Sequence, residues 1–362
     1  MPRLRIGLVA PLYEAVPPRA YGGTEVVVHL LTEELVRRGH RVTLFASGDS
    51  VTSARLVVGS PAALWSPASR HLRAEEAQEL ARRHHEAPYA SAAAFDIIHD
   101  HGGVAGLRAA VEAGVELALV THHGEVEPEM PELLERFRGR HNAISRAAAA
   151  TYPSRGQVAP VHNGIDVADF PFGARPEGYL LFLGRFSPEK GAGTAVQVAR
   201  RSGRRLLLAG RIHPHERVIF EREVAPYLDE RIRYVGEANS ERKRLLLAGA
   251  DALLFPILWD EPFGLVMIEA LACGTPVLAT DRASAPEVVE AGVTGFLAGP
   301  GTGGEADVAA LTAVLPHLPL ISRAACRRAA LARFTVERMV DDYEARYAEV
   351  LGISPARQLA SA

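Results

Sequence analysis

Short apolar runs alternate along the chain with longer stretches in which apolar residues recur three and four positions apart. Continuous apolar runs of this length predict buried strands, and the intervening stretches predict helices. Strands that alternate with helices are typical of βαβ units, which build parallel sheets. The sequence therefore predicts an α/β fold. Its predicted strands lie within residues 4–10, 41–47, 95–101, 117–125, 179–186, 204–210, 232–238, 250–257 and 276–281.

A stretch rich in proline and glycine, residues 171–178, divides this pattern into two halves. Stretches of this composition are common at domain boundaries, and 362 residues are enough for two domains of ordinary size. Residues 334–351 have the pattern of a long final helix. We therefore expect two α/β domains and a helix that closes the chain.

Residues 259–276, WDEPFGLVMIEALACGTP, carry the densest chemistry in the sequence. Pro262 suits the first position of a helix and Gly274 suits its end. This places Glu261 at the mouth of the helix and Glu269 in its second turn. The backbone N–H groups of Phe263, Gly264 and Leu265 would then be free to bind an anion such as a phosphate.

The spacing of Glu261 and Glu269 argues against an acid/base pair acting on one bond. Eight residues of helix separate them by roughly 12 Å along the axis, whereas paired glycosidase carboxylates lie about 5–9.5 Å apart. Two carboxylates that accept hydrogen bonds from different parts of one long ligand fit the spacing. A solvated glutamate plus a glutamate near the helix dipole is an equally open interpretation.

Polar residues follow several predicted strands, where parallel sheets bind ligands. Arg185 and Lys190 lie five residues apart at a strand-to-helix turn and suit a diphosphate, although a charged surface has the same pattern. Gly22 and Gly23 precede a helix and either offer amides to a phosphate or simply form a turn. Histidines end two further strands without the ligand spacing of a structural zinc site, and they are His101, His122 and His123.

Composition narrows the class of protein. The chain is 48% hydrophobic and 23% charged, which fits a soluble globular protein, and its net charge of −3 gives no basic field for nucleic acid. It has no apolar run of membrane-spanning length and no signal-peptide pattern. Contact with a membrane surface stays open, but no basic amphipathic helix indicates it. Cys273 and Cys326 lie in helical patterns and predict buried, reduced thiols in a cytoplasmic protein.

The segment EPFGLVMIEALACGTPV, with Glu261 and Glu269 eight positions apart, resembles the signature of family-four retaining glycosyltransferases of the GT-B fold. YGGTE (residues 21–25), THHG (121–124), NGID (163–166) and GRFSPEKG (184–191) support the resemblance. It implies two Rossmann-like domains facing a cleft. The acceptor-side domain would span residues 1–172 and the nucleotide-sugar domain residues 173–340, while a helix over residues 341–362 packs back on the first domain.

The resemblance also implies a role for each matching residue. Glu261 would contact the donor sugar and Glu269 the ribose. His123 would lie at the reactive face of the sugar, with His122 as a packing residue. The remaining residues would bind the diphosphate or the base, without any metal or cofactor: Gly22, Gly23, Arg185, Lys190, Phe263, Gly264 and Leu265 for the diphosphate, and Gly236 and Glu237 for the base.

The function implied is transfer of a hexose from a UDP- or GDP-sugar to a hydroxyl group of a small molecule or glycan. Retention in this family is usually explained without a protein nucleophile, because the acceptor attacks from the face that the diphosphate leaves. Two alternatives stay open. A GT-B phosphorylase would use free phosphate as acceptor, and a non-catalytic protein would bind nucleotide sugar without turning it over.

Overall fold

The computed structural model describes residues 1–19 and 22–353; Tyr21 of the YGGTE segment and the last nine residues of the predicted C-terminal helix lie outside them. The chain forms two compact units. The first contains residues 1–164 and the chain from Val336 onward, and the second contains Ile165–Thr335. The division after Gly164 comes eight residues before the boundary expected at residue 172.

The first unit contains a parallel sheet that has six strands within the described residues, in the order β3-β2-β1-β4-β5-β6 by the numbering below. The strands are β1 (Arg5–Val9), β2 (Arg41–Ser47), β3 (Arg55–Ser60), β4 (Ile97–Asp100), β5 (Ala118–His122) and β6 (Arg140–Ala143). The helices between and after them are α1 (Gly23–Arg37), α2 (Ala74–Ala90), α3 (Gly103–Ala113), α4 (Met130–Arg136) and α5 (Arg146–Ala149).

The second unit repeats this plan with a parallel sheet in the order β12-β11-β10-β7-β8-β9. Its strands are β7 (Tyr179–Leu183), β8 (Arg205–Ala209), β9 (Ile232–Tyr234), β10 (Ala252–Phe255), β11 (Val277–Ala279) and β12 (Gly295–Leu297). Its helices are α6 (Ala192–Ser202), α7 (Arg217–Glu223), α8 (Ser240–Gly249), α9 (Leu265–Ala272), α10 (Ala285–Val288), α11 (Glu305–Val314) and α12 (Arg323–Arg333).

Both strand orders are those of a doubly wound Rossmann sheet. In each sheet the first strand pairs with the second on one side and with the fourth on the other, as β1 does with β2 and β4 and β7 does with β8 and β10. The chain therefore reverses its direction of winding between β1 and β4, and again between β7 and β10. Ligands of such sheets bind beyond the carboxyl ends of the strands at this switch point.

The last described helix, α13 (Val336–Val350), belongs to the first unit. Tyr343 and Tyr347 on this helix are fully buried. Arg38 forms ion pairs of 2.6 Å with both Asp341 and Glu344, and the Tyr347 hydroxyl lies 2.8 Å from Nδ1 of His99 in β4. Apolar burial and buried polar contacts together fix α13 to this unit.

The α/β prediction is confirmed, and every predicted apolar run contains a strand. Three strands lie outside the predicted runs, and none of them produces a clear apolar run. β3 is an edge strand whose side chains are mostly half-buried or exposed, β6 has four residues of which only Ala143 is apolar, and β12 has only three residues. Charge and alanine dominate α2, but His84 and His85 near its end are buried.

Among the described residues, no single helix is long and apolar enough to cross a membrane. One sharply bent pair, residues 305–320 with 323–333, passes the same test of length and composition when its two helices are taken together.

Candidate active site

The loops that follow β7 and β10 meet through an ion pair between Lys190 and Glu261. Lys190 Nζ contacts Glu261 Oε2, and the indole N–H of Trp259 donates to the same oxygen over 2.8 Å. Lys190 Nζ also lies 4.8 Å from the centre of the Trp259 ring. Only 13% of the Lys190 side chain and 12% of the Glu261 side chain are exposed. An ammonium group has three N–H donors, so Lys190 keeps donors for an anion while it holds Glu261.

Arg185, five residues before Lys190, is also balanced by carboxylates. Its Nη2 donates to Glu189 over 3.2 Å, and its Nη1 lies 3.7 Å from Oε1 of the buried Glu216. Burial acts to raise the pKa of Glu189, but the neighbouring Ser187 side chain and the charges of Arg185 and Lys190 hold that pKa below its ordinary value. The loop after β7 thus presents two cations at the switch point, each held in place by acidic side chains.

Helix α9 begins later than the sequence predicts. Its first residue is Leu265, so the placement of Pro262 at the first helical position was wrong. Gly264 precedes the helix with φ +78°, a left-handed conformation that prevents the helix from extending backward. A Cβ at Gly264 would also lie 2.8 Å from Phe255 and 2.9 Å from Met267. Since residues 261–264 are not helical, the predicted axial separation of the two glutamates does not apply.

The start of α9 retains the features of an anion site. Within the described residues, the backbone N–H groups of Gly264 and Leu265 donate to no protein acceptor. The carbonyl of Phe263 accepts a 2.9 Å hydrogen bond from the buried hydroxyl of Ser284, which fixes the entry to the helix. N–H groups at the positive end of the helix dipole are suited to a phosphate.

Glu269 lies in the second turn of α9 and forms an ion pair with Lys243 of α8. The Glu269 side chain is 8% exposed and that of Lys243 is 26% exposed. The alternative of a solvated glutamate is therefore wrong for both acids of the motif. Each acid instead pairs with a lysine, Glu261 with Lys190 and Glu269 with Lys243.

Three glycines, Gly184, Gly210 and Gly236, follow the ends of β7, β8 and β9. The N–H of Gly210 donates to the carbonyl of Gly236 over 3.1 Å, and a Cβ at Gly210 would lie 1.8 Å from the carbonyl oxygen of Gly184. Gly236 has φ +83°, and Glu237 after it is exposed. This edge offers backbone atoms to a ligand, and the base-binding role of Gly236 and Glu237 stays a prediction.

In the first unit, Gly22 and Gly23 lie at the start of α1, whose first residue is Gly23. A Cβ at Gly22 would lie 2.7 Å from Pro18, so the close approach of these segments requires glycine there. Glu25, in the first turn of α1, is 5% exposed. Burial, followed by the charge of Glu14, raises the pKa of Glu25 to about 7.

His123 and His101 follow the adjacent strands β5 and β4, and the structure brings them together. Nε2 of His123 lies 2.7 Å from Nδ1 of His101. Burial lowers the pKa of His123 to about 4, and burial together with His99 and His123 lowers the pKa of His101. Within the same two strands, His99 Nε2 lies 2.7 Å from the hydroxyl of Thr121. The histidines are therefore neutral near pH 7 and can donate or accept hydrogen bonds without carrying charge.

His122 is a buried packing residue. Its ring stacks on Tyr152 with 4.4 Å between ring centres, and neither ring nitrogen has a hydrogen-bond partner among the described residues. Burial, followed by the charges of His141 and His123, lowers the pKa of His122 to about 3. The side chain thus behaves as an apolar aromatic ring at neutral pH.

Cys273 and Cys326 are free and buried, as predicted. Within residues 1–19 and 22–353, no cluster of three or more histidine, cysteine, aspartate or glutamate side chains is arranged to hold a metal ion.

The sequence prediction missed two residues that the structure places at this site. Trp259 contacts both members of the Lys190–Glu261 pair, and Lys243 pairs with Glu269. A signal for the second existed, because Lys190 and Lys243 are the only lysines in the chain.

Comparison with known proteins identifies the family. Residues 21–169 match the family model described as Glycosyltransferase Family 4, and residues 170–330 match the model described as Glycosyl transferases group 1. The chain belongs to the family-four glycosyltransferases. It is a glycosyltransferase with the GT-B fold, as the motif around Glu261 and Glu269 predicts.

Three relatives show the extent of the similarity. The chain is 33% identical to glycogen synthase from Mycobacterium tuberculosis over 201 residues, which are 53% of this chain and 46% of the synthase. It is 28% identical to the phosphatidyl-myo-inositol mannosyltransferase of Mycolicibacterium smegmatis, covering 81% of this chain and 80% of that protein. The structure of AviGT4, a glycosyltransferase involved in avilamycin A biosynthesis, is 29% identical, with a TM-score of 0.72 over 97% of this chain and 99% of AviGT4.

Proposed function

We propose that this glycosyltransferase moves a hexose from a UDP- or GDP-sugar to a hydroxyl group of a small-molecule or glycan acceptor, with retention of configuration at the anomeric carbon. The observation that carries the proposal is the contact between Lys190 and Glu261 at the switch point of the second sheet. A nucleotide sugar joins an anionic diphosphate to a ring of hydroxyl groups. A cation beside a carboxylate, next to a helix N-terminus, is complementary to that junction.

The chemistry follows from charge. As the bond between the anomeric carbon and the diphosphate oxygen breaks, negative charge develops on the diphosphate. Arg185, Lys190 and the N–H groups at the start of α9 stabilise that charge, which lowers the barrier because these groups are already oriented. Two cations and a helix terminus supply this stabilisation without a metal or another cofactor.

The acceptor hydroxyl attacks from the face that the diphosphate leaves, and its proton passes to the departing phosphate oxygen. No protein nucleophile takes part. Glu261 accepts hydrogen bonds from sugar hydroxyls, while the neutral His123 contributes a hydrogen bond at the sugar. A hexose as the transferred sugar agrees with the name of the relative from Mycolicibacterium smegmatis, a mannosyltransferase. Free buried thiols agree with the reducing cytoplasm, where we place the protein.

A thermal-shift screen with UDP, GDP, ADP and their hexose conjugates tests the donor. A ligand present at 100 times its Kd adds about 2.7 kcal/mol to the free energy of unfolding. Nucleotides that carry the correct base should therefore give a clear rise in Tm. Lys190→Met should abolish that rise and should also reduce turnover sharply. Arg222→Ala, which changes a largely exposed cation in α7, is the matched control and should retain the shift.

The outcomes separate the alternatives. If no nucleotide raises the Tm of the wild-type protein, or if Lys190→Met keeps the shift, the proposed donor site is wrong. Binding without turnover on any acceptor or on water would favour a non-catalytic binding protein. Release of sugar phosphate from a disaccharide by free phosphate would favour a phosphorylase.

A further inference from the structure

Lys243 occupies a position that the proposed function does not yet use. It lies in the first turn of α8, which Asn239 caps by accepting a 2.9 Å hydrogen bond from the N–H of Arg242. From there Lys243 Nζ reaches Oε1 of Glu269 on α9. About a quarter of the Lys243 side chain is exposed, so solvent reaches part of this side chain.

The choice of lysine at this position is chemically informative. Arginine supplies 38 of the 40 basic residues of the chain, and the other ion pairs seen among the described residues use arginine or histidine as the cation. Within the part of the chain that the structure describes, the two lysines form ion pairs only with the two glutamates of the Glu261–Glu269 motif. An arginine would fork across both oxygens of a carboxylate. Lysine instead engages one oxygen and leaves the other free.

The pair therefore presents three features side by side. Oε2 of Glu269 can accept a hydrogen bond, Nζ of Lys243 retains two N–H donors, and the two groups are already held together. Two adjacent hydroxyl groups have the complementary pattern, since one can donate to Oε2 while the oxygen of the other accepts from Nζ. Glu269 lies one turn beyond the start of α9, where the diphosphate is proposed to bind, and the ribose of a nucleoside diphosphate adjoins its diphosphate.

We propose that Lys243 is a substrate-binding residue that, with Glu269, clamps the two ribose hydroxyl groups of the donor nucleotide. The proposal rests on the proposed nucleotide-sugar function and adds to it a direct ribose contact by a second side chain. Lys243 holds the Glu269 carboxylate in one orientation and donates to the ribose itself. The clamp would make the protein select ribonucleotides over nucleotides without ribose hydroxyl groups.

A purely structural role is the competing explanation, because the ion pair also ties α8 to α9. The two roles differ in their dependence on the ligand. A structural lysine affects all nucleotides alike, whereas a clamp affects only nucleotides that carry the hydroxyl groups.

The experiment measures Kd by calorimetry for the nucleoside diphosphate that the wild-type protein binds and for its 2′,3′-dideoxy analogue. A lost hydrogen bond to a charged group corresponds to roughly 10- to 100-fold in affinity. Lys243→Met should weaken the ribonucleotide by roughly tenfold or more and leave the dideoxy analogue within about twofold of wild type. Lys190→Met is the matched control with the other lysine, and it should weaken both ligands equally because it contacts the shared diphosphate.

Lys243→Arg provides a second variant that keeps the charge and the link between the helices. It should bind the dideoxy analogue normally and lose most of the preference for the ribonucleotide, because its fork occupies both carboxylate oxygens. Equal weakening of both ligands by Lys243→Met, or no change in either, overturns the clamp while leaving the donor site intact. If the wild-type protein binds no nucleoside diphosphate, the clamp and the proposed function both fall.

Discussion

Replacing His122 by phenylalanine should remove a specific source of acid sensitivity. The ring of His122 stacks on Tyr152 and makes no hydrogen bond within the described residues, so phenylalanine preserves the packing and loses no polar partner. What phenylalanine removes is the site on the imidazole ring that binds a proton in acid. Burial holds the pKa of His122 at about 3, against 6.5 for an ordinary histidine, so the unfolded chain takes up a proton in acid that the folded chain does not.

The sign and the size follow from this difference. Between pH 6.5 and 3 the unfolded state binds more protons, so the free energy of unfolding falls as the pH falls. From pH 8 to pH 5, the titration of one such histidine costs about 2 kcal/mol, calculated from its unfolded-state pKa. This value hardly depends on the folded-state pKa, provided that the latter stays below about 4.5. The variant should lose about 2 kcal/mol less than the wild type over the same range.

Urea unfolding followed by circular dichroism at pH 8 and pH 5 measures the effect. The two proteins should have similar midpoints at pH 8, and the His122→Phe variant should have the higher midpoint at pH 5. His71→Gln is the control, because His71 is exposed and its removal should leave the pH dependence unchanged. Equal losses of stability in the wild type and the His122→Phe variant would refute the assignment of His122 as a buried neutral ring.

Two further substitutions test the local physics of each unit. Glu25→Gln should stabilise the protein by up to about 3 kcal/mol at pH 8 and by almost nothing at pH 4. The reason is that the pKa of Glu25 is raised to about 7 in the folded protein, so the free energy of unfolding of the wild type falls as the pH rises from 4.5. Equal unfolding midpoints of the two proteins at pH 8 would contradict this. Gly264→Ala should destabilise the second unit by more than Gly178→Ala, since both glycines have φ near +80° but only a Cβ at Gly264 meets other side chains. The left-handed backbone costs about 1–2 kcal/mol in each variant, so equal melting temperatures would show that the contacts with Phe255 and Met267 relax freely.

Much of the fold could be predicted because parallel strands buried on both faces leave long apolar runs in the sequence. The five residues of β5, all of them buried, are an example. β3 could not be predicted because it forms the edge of its sheet and its side chains are not regularly apolar. The start of α9 was misplaced for a different reason. Pro262 is compatible with a first helical turn, and only the left-handed conformation of Gly264, set by tertiary packing, moves the start to Leu265.

The site residues were predictable as residue types, but their partners were not. Lys190 and Glu261 are separated by 71 positions, and Lys243 and Glu269 by 26. Local pattern contains no information about such distant pairs. The sequence pattern also does not contain the strand order, which places the loops after β7 and β10 on either side of one switch point.

The two units differ in the charge of the side chains that are proposed to bind the donor. In the second unit, cations at the switch point are already paired with carboxylates, so a diphosphate is exchanged into a site whose charges are fixed in advance. In the first unit, burial keeps the histidines at the ends of β4 and β5 neutral. A neutral imidazole can orient a sugar hydroxyl by hydrogen bonding without attracting the diphosphate. The charge proposed to bind the anion is therefore carried by Arg185 and Lys190 of the second unit, whereas the first-unit histidines His101 and His123 carry no charge near pH 7.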